Sequence, residues 1–143
     1  MYFSSLTASA SIVSRFNTTN NNGYEIIYVS SSGKLYFQTH IGSFNSGEPT
    51  TASNLSLSTW HHFAAVRQGT NKRLFIDGTQ LSGYPISIGS SAITGETTID
   101  MIIGDRPTTP LRPVDGYIQD LRITKGLARY TSNFTPPTAE LEG

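Results

Sequence analysis

Apolar and polar residues alternate with period two along most of this chain, the spacing that sends successive side chains to opposite faces of a β-strand. In Lys34-Leu35-Tyr36-Phe37-Gln38-Thr39 the Leu35 and Phe37 side is apolar against Lys34 and Gln38, whereas Tyr24-Glu25-Ile26-Ile27-Tyr28-Val29 is largely apolar on both faces. Ser30-Ser31-Ser32-Gly33 joins the two as a hairpin turn, with Gly33 supplying positive φ. The same reading predicts strands over Ser11 to Phe16, Thr51 to Leu57, Trp60 to Gln68, Arg73 to Asp77, Thr98 to Ile103 and Tyr117 to Thr124. One helical turn is expected near Lys125 to Tyr130, and the polar stretch Asn17 to Gly23 reads as a loop. Many short strands, no amphipathic helix and no repeat of fixed period predict an all-β fold, a two-sheet antiparallel β-sandwich rather than a propeller or solenoid.

Length and charge narrow the picture. The 143 residues suit a single domain over 1–143, and no linker divides them. Ten acidic residues balance ten basic ones, so nothing supplies the global phosphate attraction of a nucleic-acid binder. There is no cysteine, which removes disulfides and thiolate metal sites without deciding the compartment. The opening Met1 to Ala10 ends in Ala8-x-Ala10 but has neither a basic start nor a continuous apolar stretch, and is not expected to be a signal peptide. No run approaches the ~18 apolar residues of a membrane-spanning helix, so no membrane insertion is expected.

Two segments are more specific. Ser58-Thr59-Trp60-His61-His62-Phe63-Ala64-Ala65-Val66-Arg67, running on to Leu74-Phe75-Ile76-Asp77-Gly78, and Gly116-Tyr117-Ile118-Gln119-Asp120-Leu121-Arg122-Ile123 together resemble the laminin-G-like branch of the concanavalin A-like lectin/glucanase superfamily. Thr124 to Pro137 resembles the ending of such domains in bacteriophage tail and other virion-associated proteins. The resemblance implies a jelly-roll sandwich with a role in adhesion or particle structure. Such domains open with an apolar strand that ends in a Trp, and this sequence starts inside that position. The place beside Tyr117 to Thr124 is therefore expected to be filled by Tyr2 to Leu6 or by a strand-completing partner chain.

The candidate site residues divide into structural and binding groups. Trp60 shares a stripe with His62, Ala64 and Val66 and is expected to be a core anchor, with a sugar-stacking platform as the minority alternative. His61 and His62 must point to opposite faces and cannot share a metal; His62 is assigned a hydrogen-bonded structural role. Asp77-Gly78 reads as a hairpin turn, and Asp120 and Arg122, two apart on one strand, as a buried ion pair. Binding is assigned to Asp105, Arg106, Arg112 and Asp115 in the Pro-stiffened loop Gly104 to Asp115, with Tyr84 and Tyr130 as exposed aromatics. Phe134 is expected to fold the tail back onto the sandwich.

Catalysis has little support. The superfamily's β-glucan hydrolases use a Glu-x-Asp-x-x-Glu strand, and among Glu25, Glu48, Glu96, Glu140 and Glu142 no two share a strand face at that spacing. No cofactor is expected. Calcium, which would draw on Asp100, Asp105 and Asp115, stays a minority reading because no Asp-x-Asp-x-Asp-Gly loop is present. The expectation is a non-catalytic adhesion or assembly module of a virion or extracellular surface, with weak binding of a glycan or host-surface receptor and contacts to other chains of the assembly. The alternatives are a glycan-active enzyme, or its carbohydrate-binding module, and a purely structural multimer subunit.

Overall fold

The structure, a computed structural model, describes residues 1–17, 22–41, 44–45, 55–93 and 99–139. Among these residues every strand pairing is antiparallel and no helix is assigned. In chain order the strands are β1 (Tyr2–Phe3), β2 (Ala10–Asn17), β3 (Asn22–Val29), β4 (Lys34–Ile41), β5 (Phe44–Asn45), β6 (Phe63–Gln68), β7 (Asn71–Ile76), β8 (Thr79–Gln80), β9 (Ile86–Ser87), β10 (Ile102–Ile103) and β11 (Gly116–Tyr117). One sheet runs β10-β2-β3-β4-β5; the second runs β6-β7-β8, with β9 also on β7; β1 and β11 form a two-stranded ribbon. This is the predicted sandwich.

Local chemistry explains the long hairpins. β3 and β4 pair from Asn22↔Ile41 to Val29↔Lys34, and Gly33 closes their turn at φ +64°. β2 carries a bulge between Ser11 and Val13. The extra residue lets Ile12 and Val13, neighbours in sequence, both be buried, and frees the Ile12 carbonyl to accept the Gly104 N–H at 2.9 Å. Asp77 and Gly78, at φ +50° and +77°, close the two-residue turn between β7 and β8.

The two sheets meet in one core. Ile12, Val13, Tyr28, Leu35 and Phe37 from the first pack with Leu74 from the second, while Met1, Phe3 and Tyr84 fill the space between. Each fully buried side chain of this size contributes about 1.5–3 kcal/mol relative to exposure. Polar groups also tie the layers at Phe37. Lys72, fully buried on β7, donates from Nζ to the Phe37 carbonyl at 2.7 Å, and the Tyr84 hydroxyl accepts the Phe37 N–H at 3.2 Å.

Several element boundaries differ from the sequence reading. The Trp60 to Gln68 run becomes strand only at Phe63, Trp60 making an isolated bridge to Tyr2. The predicted Tyr117 to Thr124 strand pairs only at Gly116–Tyr117, because Asp120 turns to φ +52° and breaks the extended path. Residues 125–130 form no helical turn. Of the predicted 51–57 strand, 51–54 lie outside the described residues and 55–57 are loop and turn; the 98–103 prediction reduces to Ile102–Ile103, with Thr98 also outside. Residues 18–21 of the Asn-rich loop, and Glu48, Glu96, Glu140 and Glu142, are outside as well. Tyr2–Phe3 takes the place beside β11, in the register Tyr2↔Tyr117 and Phe3↔Gly116.

Candidate functional site

β1 is two residues long, and its pleat sends them to different environments. Phe3 points inward with no exposed surface and meets Phe63 edge-on at 6.2 Å. Tyr2 points outward and stands between Trp60 and Tyr117, with ring centroids 5.8 and 5.7 Å away and planes tilted by 54° and 56°. Gly116 permits the close approach, since a Cβ there would lie 1.9 Å from the Tyr2 carbonyl oxygen. The outcome is a surface row, Trp60–Tyr2–Tyr117, whose outer members are 50% and 65% exposed.

Trp60 is therefore not the core anchor its sequence stripe implied. On this segment half-buried Phe63 and Ala65 pack on the core and His61 is buried, so the odd-numbered set faces the core and Trp60 and His62 face away from it; Val66, of the even-numbered set, is buried without joining that core. A one-residue change of parity exchanges the two faces of a strand.

The histidine roles change with it. His61 is buried, its Nδ1 lies 2.6 Å from Asp77 Oδ2, and its Nε2 accepts the Ser56 N–H at 3.2 Å. With Nε2 accepting, Nδ1 carries the proton and donates to the carboxylate. Asp77 Oδ1 accepts the His62 N–H at 2.8 Å, so the turn residue fastens both histidines' segment to the β7–β8 hairpin. The hydrogen-bonded structural histidine is His61, not His62. The His62 ring instead lies edge-on to Phe134 at 5.5 Å and to Tyr130 at 6.3 Å, and its pKa is lowered chiefly by burial, with the Met1 amino group adding to it. The His61–Asp77 pair looks like a catalytic dyad, yet Nε2, the atom that would serve a nucleophile, is occupied by backbone.

The tail covers this outer face. Tyr130 stacks on Phe134 at 3.6 Å, and Phe134 meets Phe75 at 5.5 Å. The Phe134 N–H donates to the Gly78 carbonyl at 2.9 Å, and the Gln80 N–H to Asn133 Oδ1 at 2.9 Å. Gly78 is required here for a second reason besides its φ: a Cβ would sit 1.9 Å from the Phe134 carbonyl oxygen. Tyr130, expected as a free recognition aromatic, is half-buried in this packing.

The 104–115 loop is drawn inward. Asp105 Oδ1 accepts the N–H groups of Arg106 at 2.8 Å and Arg112 at 2.7 Å. Arg106 bonds Thr108 Oγ1 through Nε and Nη2 at 3.0 and 2.9 Å, and its guanidinium lies 5.3 Å from the Phe16 ring. The Arg112 carbonyl accepts the Ser11 N–H at 2.8 Å, and the Asp115 carbonyl accepts the Ser4 N–H at 2.8 Å. Beneath the loop, Glu25 is buried and accepts the Ser11 hydroxyl; burial pushes its pKa up, while that hydrogen bond and the charges of Arg106 and Arg112 oppose the rise. Asp105, Arg106 and Arg112 hold the loop on β2; the Asp115 residue is exposed.

Two further expectations are corrected. Tyr84 is buried against Phe37 rather than exposed, with its hydroxyl pKa pushed up to about 12 by burial. Asp120 is exposed and forms no ion pair with Arg122, because the positive φ at Asp120 ends the alternation that would have put both on one face. Asp100, Asp105 and Asp115 are not gathered: among the described residues no three His, Asp or Glu side chains come together as a metal set.

Between the sheets and the 118–130 segment lies an open cleft of about 1510 Å³, lined by Ile12, Ile26 and Phe37 on one wall and by β6 on the other, with Trp60 and Tyr130 among its lining residues. The family model described as the concanavalin A-like lectin/glucanases superfamily matches residues 1–128. The chain belongs to the concanavalin A-like lectin/glucanases superfamily. No curated protein and no solved structure gives a significant match. In this concanavalin A-like domain the residues carrying the family pattern serve mainly the frame: Asp77-Gly78 makes the turn and Gly116 admits β1. Sequence reasoning set the Tyr2 segment beside the Tyr117 strand as one option but gave neither residue a site role. The signal was present in two aromatics flanking the ends of the ribbon, but it becomes readable only once Tyr2↔Tyr117 register is known.

Proposed function

We propose that this concanavalin A-like domain is a non-catalytic adhesion or assembly module of a virion or extracellular surface, making contact with glycans or neighbouring chains. The observation that carries the reading is the set of large apolar side chains left on the surface: Leu57, Trp60, Tyr117, Leu121, Ile123 and Leu127 are all 44–65% exposed, and Trp60, Leu121, Ile123 and Leu127 line the cleft. Surfaces of this kind serve contact rather than folding, since they gain nothing from exposure in a free monomer. Among the described residues, by contrast, three acid–base groups are committed to the frame: His61 to Asp77 and Ser56, Glu25 to Ser11, Asp105 to two backbone N–H groups. Catalysis would need such groups turned toward a substrate.

The test combines size-exclusion light scattering with retention on immobilised glycans and with product analysis after incubation with laminarin. Self-association or glycan retention without hydrolysis is the expected result. Release of reducing ends, or a monomer retained by no glycan, overturns the proposal.

A further inference from the structure

We infer that the outer edge of β6 takes an extended acidic segment of a partner chain as an added strand, an inference that rests on the assembly side of the reading above and gives its contact with neighbouring chains a location. Among the described residues, each strand of six or more residues has a neighbour on both sides except β6, which pairs with β7 alone. Its backbone parity follows from that pairing. The His62 carbonyl accepts the Asp77 N–H at 2.8 Å, so in the same register Ala64 and Val66 exchange bonds with Phe75 and Arg73, and Phe63, Ala65 and Arg67 turn their N–H and C=O groups away from β7. No bulge or Pro blunts this edge, whose register runs unbroken from Phe63↔Ile76 to Gln68↔Asn71. All six residues of β6 line the open cleft.

A row of alternating donors and acceptors selects an extended backbone. A lipid tail or a compact ligand would shut those groups off from water unmatched, at a cost for each, whereas an added strand pairs with them in order. The chain's own 118–124 segment also lines the opening, but φ +52° at Asp120 breaks the extended path that pairing needs. Ile12, Ile26 and Phe37 line the same cleft, so an added strand turns alternate side chains toward apolar surface. Charge decides the rest. Arg15, Arg67, Arg122, Lys125 and Arg129 line the cleft against Asp77 and Asp120, five cations to two carboxylates in a chain whose ten basic and ten acidic residues balance. Arg122 and Lys125 make no hydrogen bond or ion pair among the described residues. A second copy adding its own β6 edge would set these cations against their equivalents, while an acidic segment neutralises them.

The test uses the full chain and a short synthetic peptide that alternates glutamate with valine. Two controls accompany it: the same peptide with lysine for glutamate, and the glutamate peptide N-methylated throughout, which keeps its charge and loses its donors. Binding is followed by the emission of Trp60, the sole tryptophan and a lining residue of the cleft, and by amide exchange along β6. In the free chain the Phe63, Ala65 and Arg67 amides should exchange at least about tenfold faster than those of Ala64 and Val66, and the glutamate peptide should remove that difference. Both control peptides should bind about tenfold more weakly or not at all. Ala65→Pro removes an outward N–H and no bond to β7, and Arg122→Glu with Lys125→Glu reverses charge at the cleft; each should weaken the glutamate peptide about tenfold. Thermal transitions are measured for both, so that the charge variant carries the test if Pro disturbs the fold. Protection of all five amides in the free chain shows an edge already covered and overturns the site. Equal binding of the N-methylated peptide overturns strand addition, and equal binding of the lysine peptide overturns the acidic partner. Protection of Phe63, Ala65 and Arg67 that grows with protein concentration assigns the edge to a second copy and overturns the acidic partner too. No binding of the glutamate peptide overturns the site; the adhesion reading stands if the chain still self-associates or is retained on glycans, and falls with the site if it does neither.

Discussion

Tyr2 and Phe3 are neighbours in sequence and opposites in environment. Phe3 has no exposed surface and sits among Phe63, Tyr28 and the rest of the core, while Tyr2 stands outside between Trp60 and Tyr117. The inner face of this ribbon is continuous with buried His61, which is bonded to the exposed Asp77; the outer face ends in rings whose polar tips have no partner among the described residues. The contrast shows how little backbone separates a buried face from an exposed one. One pleat suffices.

The largest effect should come from the inner face. Phe3→Ala empties a fully enclosed site and should lower stability by about 3–5 kcal/mol in denaturant unfolding, with the loss of the β1–β11 ribbon visible as faster hydrogen exchange at Tyr117. A cost near that of a surface substitution would mean that β1 is not seated on the core.

Next is the hairpin that receives the tail. Gly78→Ala places a Cβ against the Phe134 carbonyl and imposes φ +77° on an L side chain, at an expected cost of about 1–3 kcal/mol. Because Phe134 and Tyr130 would lose their seat, limited trypsin digestion should cut faster after Arg129, an exposed residue in the segment leading to the tail. Unchanged digestion would show that the tail is held by its ring contacts alone.

The third test is a pH dependence of the core. Burial lowers the Lys72 pKa from 10.5 to about 8, so above its folded pKa the folded protein binds fewer protons at this position than the unfolded chain does. Lys72 thus contributes stability that is present above the unfolded pKa and lost as pH falls through about 8. Between pH 8 and 10 the unfolding free energy of the parent should rise relative to Lys72→Met, measured side by side so that other groups cancel. Parallel curves would remove the assignment.

The smallest effect belongs to the outer face. Trp60→Ala, at a half-exposed position, should cost about 1 kcal/mol, well below Phe3→Ala. A loss as large as that of Phe3→Ala would return Trp60 to the core and erase the contrast between the two faces.

Much of the frame was legible in the residues. Period-two alternation located β2, β3, β4, β6 and β7, and Gly33 and Asp77-Gly78 marked turns that take positive φ in the structure. These are local signals: alternation depends on the pleat and turn residues on their own φ, and neither needs a distant partner. The site was far less legible. Reading parity from Trp60, His62, Ala64 and Val66 put Trp60 inside, because that stripe is mostly apolar, but the inner position went to Phe63 and Ala65. The charged loop looked free, yet Asp105 bonds its own backbone and Arg106 lies on Phe16 from β2. Tyr84 looked exposed beside a Pro and is buried against Phe37.

By itself, then, the chain's residue pattern determined an antiparallel sandwich, the places of its longer hairpins and the family to which it belongs. Only the tertiary structure decided which face of each strand looks inward, and with it the roles of Trp60, His61, His62 and Tyr84. The physical reason is that a strand's two faces are distinguished by what packs across from them, and those partners, Phe3, Tyr117 and Phe134 here, come from parts of the chain 59 to 115 residues away.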